Sequence, residues 1–249
     1  MTDSKISNAA DILNADRLIF ALDVADADTA RQLVKELDDA VTFYKLGLEL
    51  CMSGEYFDLL DWMVQQDKRI FVDCKFFDVP ATVAAAVRNL RNRGVTYATI
   101  HGNQSMMEAA GEAKGDIKIL AVTALTSLDR GDLDDLGFQC DIGALVLSRA
   151  RRALEAGCDG VIASGLELEA LREAIDDKLL VITPGIRPVE NRPADDQKRV
   201  VTVEEAFRKG ADHIVVGRPI KNAENPRAAA LAIQDTINDI FGSKKTDDR

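Results

Sequence analysis

Eight short apolar runs rich in β-branched residues recur along the chain, each followed by apolar residues at helical spacing, and this alternation limits the fold more than any other feature. The runs are Leu18–Leu22, Thr42–Leu46, Ile70–Cys74, Tyr97–His101, Ile117–Val122, Gly160–Ala163, Leu179–Ile182 and His213–Val216. Helical spacing follows in segments such as Thr29–Leu37, Tyr56–Val64, Thr82–Leu90 and Ala144–Leu154. Strands this continuously apolar are buried on both faces, as in a parallel sheet covered by helices. Eight β and α units in about 225 residues, with no internal linker, predict a single α/β domain, a (β/α)8 TIM barrel. A doubly wound open sheet is the alternative, but it usually carries fewer strands, and no G-x-G-x-x-G follows the first run. The predicted barrel covers residues 16–241, between a polar N-terminal arm (1–15) and a charged C-terminal tail (242–249).

In such a barrel the C-terminal ends of the strands carry the chemistry. Those ends read Asp23, Lys45, Asp73 with Lys75, His101, Thr123 and Gly217-Arg218. Side chains two apart share a face of a strand, so Asp73 and Lys75 should point the same way, with Asp78 just beyond. Taken alone, D-x-K-x-x-D is more often an ion pair followed by a helix cap, since Asp78 before Val79-Pro80 is a good helix start. Charges converging from several strand ends overturn that reading, because their desolvation is costly unless they pair with each other or with a ligand.

The net charge of −11 and pI near 4.8 argue against nucleic acid or an anionic membrane as partner, so a phosphate would have to be gripped locally. The loop after the seventh run, from Thr183 to Arg199, is long and polar enough for a lid and contains Arg187. After the eighth run Gly217 lets backbone N–H groups approach an anion that Arg218 can clamp, and these two loops form the common phosphate site of the fold. Four scattered cysteines without C-x-x-C spacing, no apparent signal peptide and no apolar run of membrane length predict a reduced, soluble, cytoplasmic protein. Two separated histidines are too few for a His-based metal cluster. His101 reads as a satisfied strand-end histidine, Cys74 as facing away from the site and Trp62 as helix packing.

Taken in order, the segments Ala21-Leu22-Asp23, Tyr44-Lys45-Leu46-Gly47, Val72 to Pro80, Leu125-Thr126-Ser127, Thr183 to Pro188, Asp196 to Arg199 and Val216 to Ile220 closely resemble the orotidine 5′-monophosphate decarboxylase family over about residues 17 to 241. The resemblance implies the barrel, a homodimer with sites shared across its interface, and no cofactor or metal. It implies Lys75 as the proton donor to C6 of the pyrimidine, flanked by Lys45 and Asp73, with Asp78 contributed by the other subunit. Asp23 and Thr82 resemble the ribose ligands, Thr82 again reaching across the dimer. Thr126, with Ser127 beside it, resembles the reader of the pyrimidine amide edge, and Arg187, Gln197, Gly217 and Arg218 resemble the phosphate grip. Ala81 departs from the family, many of whose members carry a larger polar residue there.

Loss of carbon dioxide from orotate leaves an electron pair in the ring plane at C6, where the π system cannot absorb it. A fixed cation must therefore meet the developing carbanion, which a lysine both stabilises and protonates. Related barrels that act on sugar phosphates through a magnesium enediolate share D-x-K-x-x-D, but place a glutamate metal ligand where this chain has Lys45 and lack the long lid. A non-catalytic nucleotide-binding barrel is a second alternative, and would have no use for a buried Lys-Asp-Lys-Asp set.

Overall fold

Each predicted run forms a strand in the computed structural model, which describes residues 12–175, 177–187 and 200–242. The strands are β1 (Leu18–Ala21), β2 (Phe43–Gly47), β3 (Arg69–Phe76), β4 (Val95–His101), β5 (Lys118–Val122), β6 (Gly160–Ile162), β7 (Leu180–Thr183) and β8 (His213–Val216). They pair in sequence order, all parallel, and β8 closes on β1. A principal helix follows each: α1 (Ala27–Leu37), α2 (Tyr56–Gln65), α3 (Pro80–Leu90), α4 (Gln104–Ala113), α5 (Ile142–Glu155), α6 (Leu168–Ile175), α7 (Val203–Arg208) and α8 (Pro226–Gly242). Local chemistry starts several of them. The Asp26 and Asp141 carboxylates accept from the backbone N–H groups of Thr29 and Ala144, Thr202 and Glu205 form a capping box, and Pro80 opens α3.

Period-two alternation splits the core into two shells. On β2, Tyr44 and Leu46 pack outward among Leu37, Leu59, Leu60 and Val72, while Phe43 joins Ile19, Phe71, Tyr97 and Ile182 inside the barrel. Burying one such side chain contributes about 1.5–3 kcal/mol, so the sheet is held from both faces. Half-buried Trp62, on α2, and Cys74, on β3, pack against the outer shell. Cys74 lies 3.9 Å from the Tyr56 hydroxyl, away from the barrel interior as expected.

The N-terminal end of the barrel is closed by the rings of Phe43, Tyr97 and His213, with centroids 5.1–5.8 Å apart. The Asp16 carbonyl, 2.8 Å from His213 Nδ1, can only accept, so that nitrogen carries the proton. Nε2 then accepts from the Tyr97 hydroxyl at 2.9 Å. Burial, aided by Arg69 and Arg17, pulls the His213 pKa down to about 3. Asn14 and Ala15, counted with the arm in the sequence reading, are tied to the barrel. Asn14 donates to Asn238, and the Ala15 carbonyl accepts from Thr42 and Gln234. Residues 1–11 of the expected arm and 243–249 of the expected tail lie outside the described residues.

Candidate active site

At the opposite end the inward positions of the same strands carry charge. Lys45 Nζ lies 3.0 Å from Asp23 Oδ1 and 3.4 Å from Asp73 Oδ2, and Lys75 Nζ lies 2.9 Å from that same Asp73 oxygen. Four side chains from three neighbouring strands thus form one alternating row, Asp23–Lys45–Asp73–Lys75. The side chains of Asp73 and Lys45 are 10% and 12% exposed, those of Lys75 and Asp23 33% and 48%, so the row is buried at its centre and opens to solvent at both ends. Burial alone would pull the Lys45 pKa down, but Asp73 and Asp23 outweigh it and hold it above the ordinary lysine value. Lys45 stays an ammonium with little water around it. Gly47 makes room for this: a Cβ there would stand 3.2 Å from Lys45 Nζ and 3.3 Å from Asp23 Oδ1.

Lys75 and Asp73 do converge, but not by plain alternation. Val72 pairs with Ala98 and Phe76 with Ile100, so three residues of β3 stand against the single residue Thr99 of β4. Within this bulge Lys75 takes a left-handed backbone, φ +47°, which costs a residue with a Cβ on the order of 1–2 kcal/mol. Such strain persists where surrounding contacts enforce it, and it clusters at functional sites.

The row lines one side of a cavity of about 450 Å³ at the mouth of the barrel. Its floor is apolar, from Ala21, Phe71, Val122, Ile162 and Val215, and Thr126, Ser127, Arg187, Gly217, Arg218 and Lys221 also line it. A Cβ on Gly217 would lie 3.2 Å from that of Ala21, so the glycine lets β8 close against β1 beside Asp23. Arg187 is held near the mouth by pairing of its segment with Val201: the Arg187 N–H donates to the Val201 carbonyl at 2.9 Å.

Of the residues predicted from sequence, Asp23, Lys45, Asp73, Lys75, Thr126, Arg187, Gly217 and Arg218 meet at this cavity. Asp78 and Thr82 do not line it. Both are exposed beside Phe77 and Val79, themselves each 62% exposed. Gln197 and most of the expected lid, residues 188–199, lie outside the described residues. His101 is only in part the satisfied histidine expected: its ring packs on Phe77 at 4.6 Å and interacts with the Asn103 side chain, but its Nδ1 is buried without a partner. Burial and the nearby Arg149 lower its pKa.

Two residues went unnoticed in the sequence. Lys221 lines the cavity and donates to the Asp23 carbonyl at 2.6 Å; its spacing of three from Arg218 was the available signal. Thr99, fully buried, is a polar residue on the inward register of β4, two before His101. Among the described residues no three His, Cys, Asp or Glu side chains group as a metal site. The ammonium of Lys45 stands between the Asp23 and Asp73 carboxylates.

Fold and site together define a (β/α)8-barrel enzyme with an alternating lysine–aspartate row at the mouth of its cavity. The chain belongs to the orotidine 5′-phosphate decarboxylase / HUMPS family, whose model matches residues 16–233. It is 64% identical over 229 residues to the orotidine 5′-phosphate decarboxylase of Methylococcus capsulatus, covering 92% of this chain and 95% of the relative. It is 52% identical over 224 residues to that of Xanthomonas euvesicatoria, covering 89% and 92%. Among solved structures, the orotidine 5′-phosphate decarboxylase of Lactobacillus acidophilus superimposes with a TM-score of 0.80 at 34% identity, covering 90% of this chain and 99% of that one.

Proposed function

We propose that the chain decarboxylates orotidine 5′-phosphate to UMP and carbon dioxide in de novo pyrimidine synthesis, as a cytoplasmic homodimer whose catalytic unit is the barrel of residues 16–241, without metal or organic cofactor. The observation that carries this reading is the Asp23–Lys45–Asp73–Lys75 row at the mouth of the cavity, in a chain whose named relatives catalyse this reaction. The bond from C6 to the carboxylate breaks, its electron pair stays on C6, and Lys75 supplies the proton. Two unit charges about 4 Å apart interact by roughly 4 kcal/mol at an effective dielectric near 20, so a positioned ammonium covers a useful part of a barrier reduction of about 8–23 kcal/mol. The remainder comes from binding energy at the phosphate, which Arg187, Gly217, Arg218 and Gln197 would grip, and from the apolar floor that excludes water.

Asp73 acts mainly as the counterion that keeps both lysines charged and oriented. Its Oδ2 sits between two ammoniums and its Oδ1 accepts a hydrogen bond, which blunts its repulsion of a substrate carboxylate. Asp23 reaches the ribose from the Lys45 end, and Thr126 reads the pyrimidine edge. Asp78 and Thr82 serve the partner subunit's site: both are exposed outside their own cavity, on a segment with apolar Phe77 and Val79. No described helix is long and apolar enough to cross a membrane, which fits the cytoplasmic placement.

The test is the fall in orotidylate absorbance on adding purified protein in EDTA. Decarboxylation at an unchanged rate is expected. Activity that vanishes in EDTA and returns with magnesium would move the chain to the metal-dependent, sugar-phosphate side of its family.

A further inference from the structure

We infer that Thr99 is a positioning residue for the reaction, a single hydroxyl that ties the Asp73 carboxylate to the backbone of Lys75; this rests on the charge-row reading of the site given above. Thr99 Oγ1 donates to Asp73 Oδ1 at 2.8 Å and accepts from the Lys75 backbone N–H at 3.0 Å. The side chain is fully buried, so no water substitutes for either bond.

The need for such a group follows from the bulge. Where three residues of β3 stand against one of β4, the regular ladder is interrupted, and the N–H of Lys75 must find another acceptor. Thr99 supplies it from the one β4 position facing the bulge, and in doing so holds the left-handed backbone of Lys75. The proton of the same hydroxyl fixes the rotation of the Asp73 carboxylate. Oδ1 is turned to Thr99, which leaves Oδ2 as the oxygen shared by Lys45 at 3.4 Å and Lys75 at 2.9 Å. One side chain therefore sets both the base of Lys75 and the anchor of its ammonium, without lining the cavity.

Serine would keep this function; valine, with nearly the same shape, would abolish it and leave a buried acceptor and a buried donor unpaired. Thr99→Val is expected to lower kcat about 10- to 100-fold, the effect of losing hydrogen bonds that hold a charged reacting group, while UMP affinity stays within about threefold because the phosphate grip is untouched. Thr99→Ser should recover kcat to within about threefold of wild type, the approximate limit for retained hydrogen bonding. The measurements are kcat for orotidine 5′-phosphate and the Kd of UMP, on dimers whose thermal melting is recorded alongside. Full kcat in Thr99→Val overturns the inference, as does equal damage in the serine and valine variants or a parallel loss of UMP affinity, each of which marks a packing role. Should the valine variant not fold, Thr99→Ser against Thr99→Ala decides in the same way: an active serine beside an impaired alanine supports the hydroxyl, and equal activities overturn it. Wild-type protein that releases no carbon dioxide overturns the proposed reaction and this inference with it. An active wild type beside an equally active valine variant overturns the inference alone.

Discussion

Lys75 is the residue on which charge, backbone geometry and exposure meet. It ends the buried row, faces the cavity and sits in a left-handed conformation within a bulge. If it delivers the proton to C6, Lys75→Ala should cut kcat on the order of a thousandfold or more while the protein still binds UMP. A substantial residual kcat would remove Lys75 from that role. Arg218 should behave in the opposite sense. Its loss weakens binding of the phosphate by about 1.5–3 kcal/mol, roughly 10- to 150-fold in affinity, and isothermal titration with UMP measures this directly. Gly47 is quieter and equally testable. Gly47→Ala places a methyl 3.2 Å from Lys45 Nζ, so the lysine must shift by a few tenths of an ångström. A loss of kcat of roughly 3- to 30-fold, with little change in Tm, is expected; unchanged kcat would show that the Lys45–Asp23 pair has room to yield.

At the scale of elements, the strands separate two ends of one barrel. On β8, His213 closes the N-terminal end and Gly217 follows at the other. His213 is buried and neutral, with a folded pKa near 3 against an ordinary value near 6.5, so between those values the unfolded chain binds more protons than the folded one. Its contribution to stability is therefore complete above about pH 6.5 and is lost as pH falls toward about 3, at up to about 1.4 kcal/mol per pH unit. Denaturant unfolding of His213→Gln across that range should show a shallower decline on acidification, and an unchanged slope would assign the acid sensitivity elsewhere. The eight strands were readable because apolar runs and period-two alternation survive any detail of packing. The Asp73–Lys75 convergence was readable for the same reason, although a bulge and not simple alternation produces it. Thr99 was not, because its importance arises from a register shift between β3 and β4 that no local pattern encodes. Lys221 was hidden differently: its lysine looks like surface until the short helix Arg218–Lys221 turns it toward the Asp23 carbonyl.

At the scale of the whole molecule, one chain supplies a cavity lacking Asp78 and Thr82, and the proposed dimer supplies both from across its interface. A Lys75→Ala protomer paired with an Asp78→Ala protomer would then hold one doubly damaged and one intact site. Random exchange makes about half of the dimers mixed, so mixing the two inactive proteins should restore roughly a quarter of wild-type activity per site. Demonstrated subunit exchange with no regained activity would show that Asp78 serves its own chain. The layered build also decides what light can report. Trp62, the only tryptophan in the sequence, stands in the helix ring against the outer shell and does not line the cavity. Its fluorescence is a gauge of whether the ring is still packed on the barrel, and it should shift when denaturant opens the fold yet stay nearly silent as the mouth fills with nucleotide.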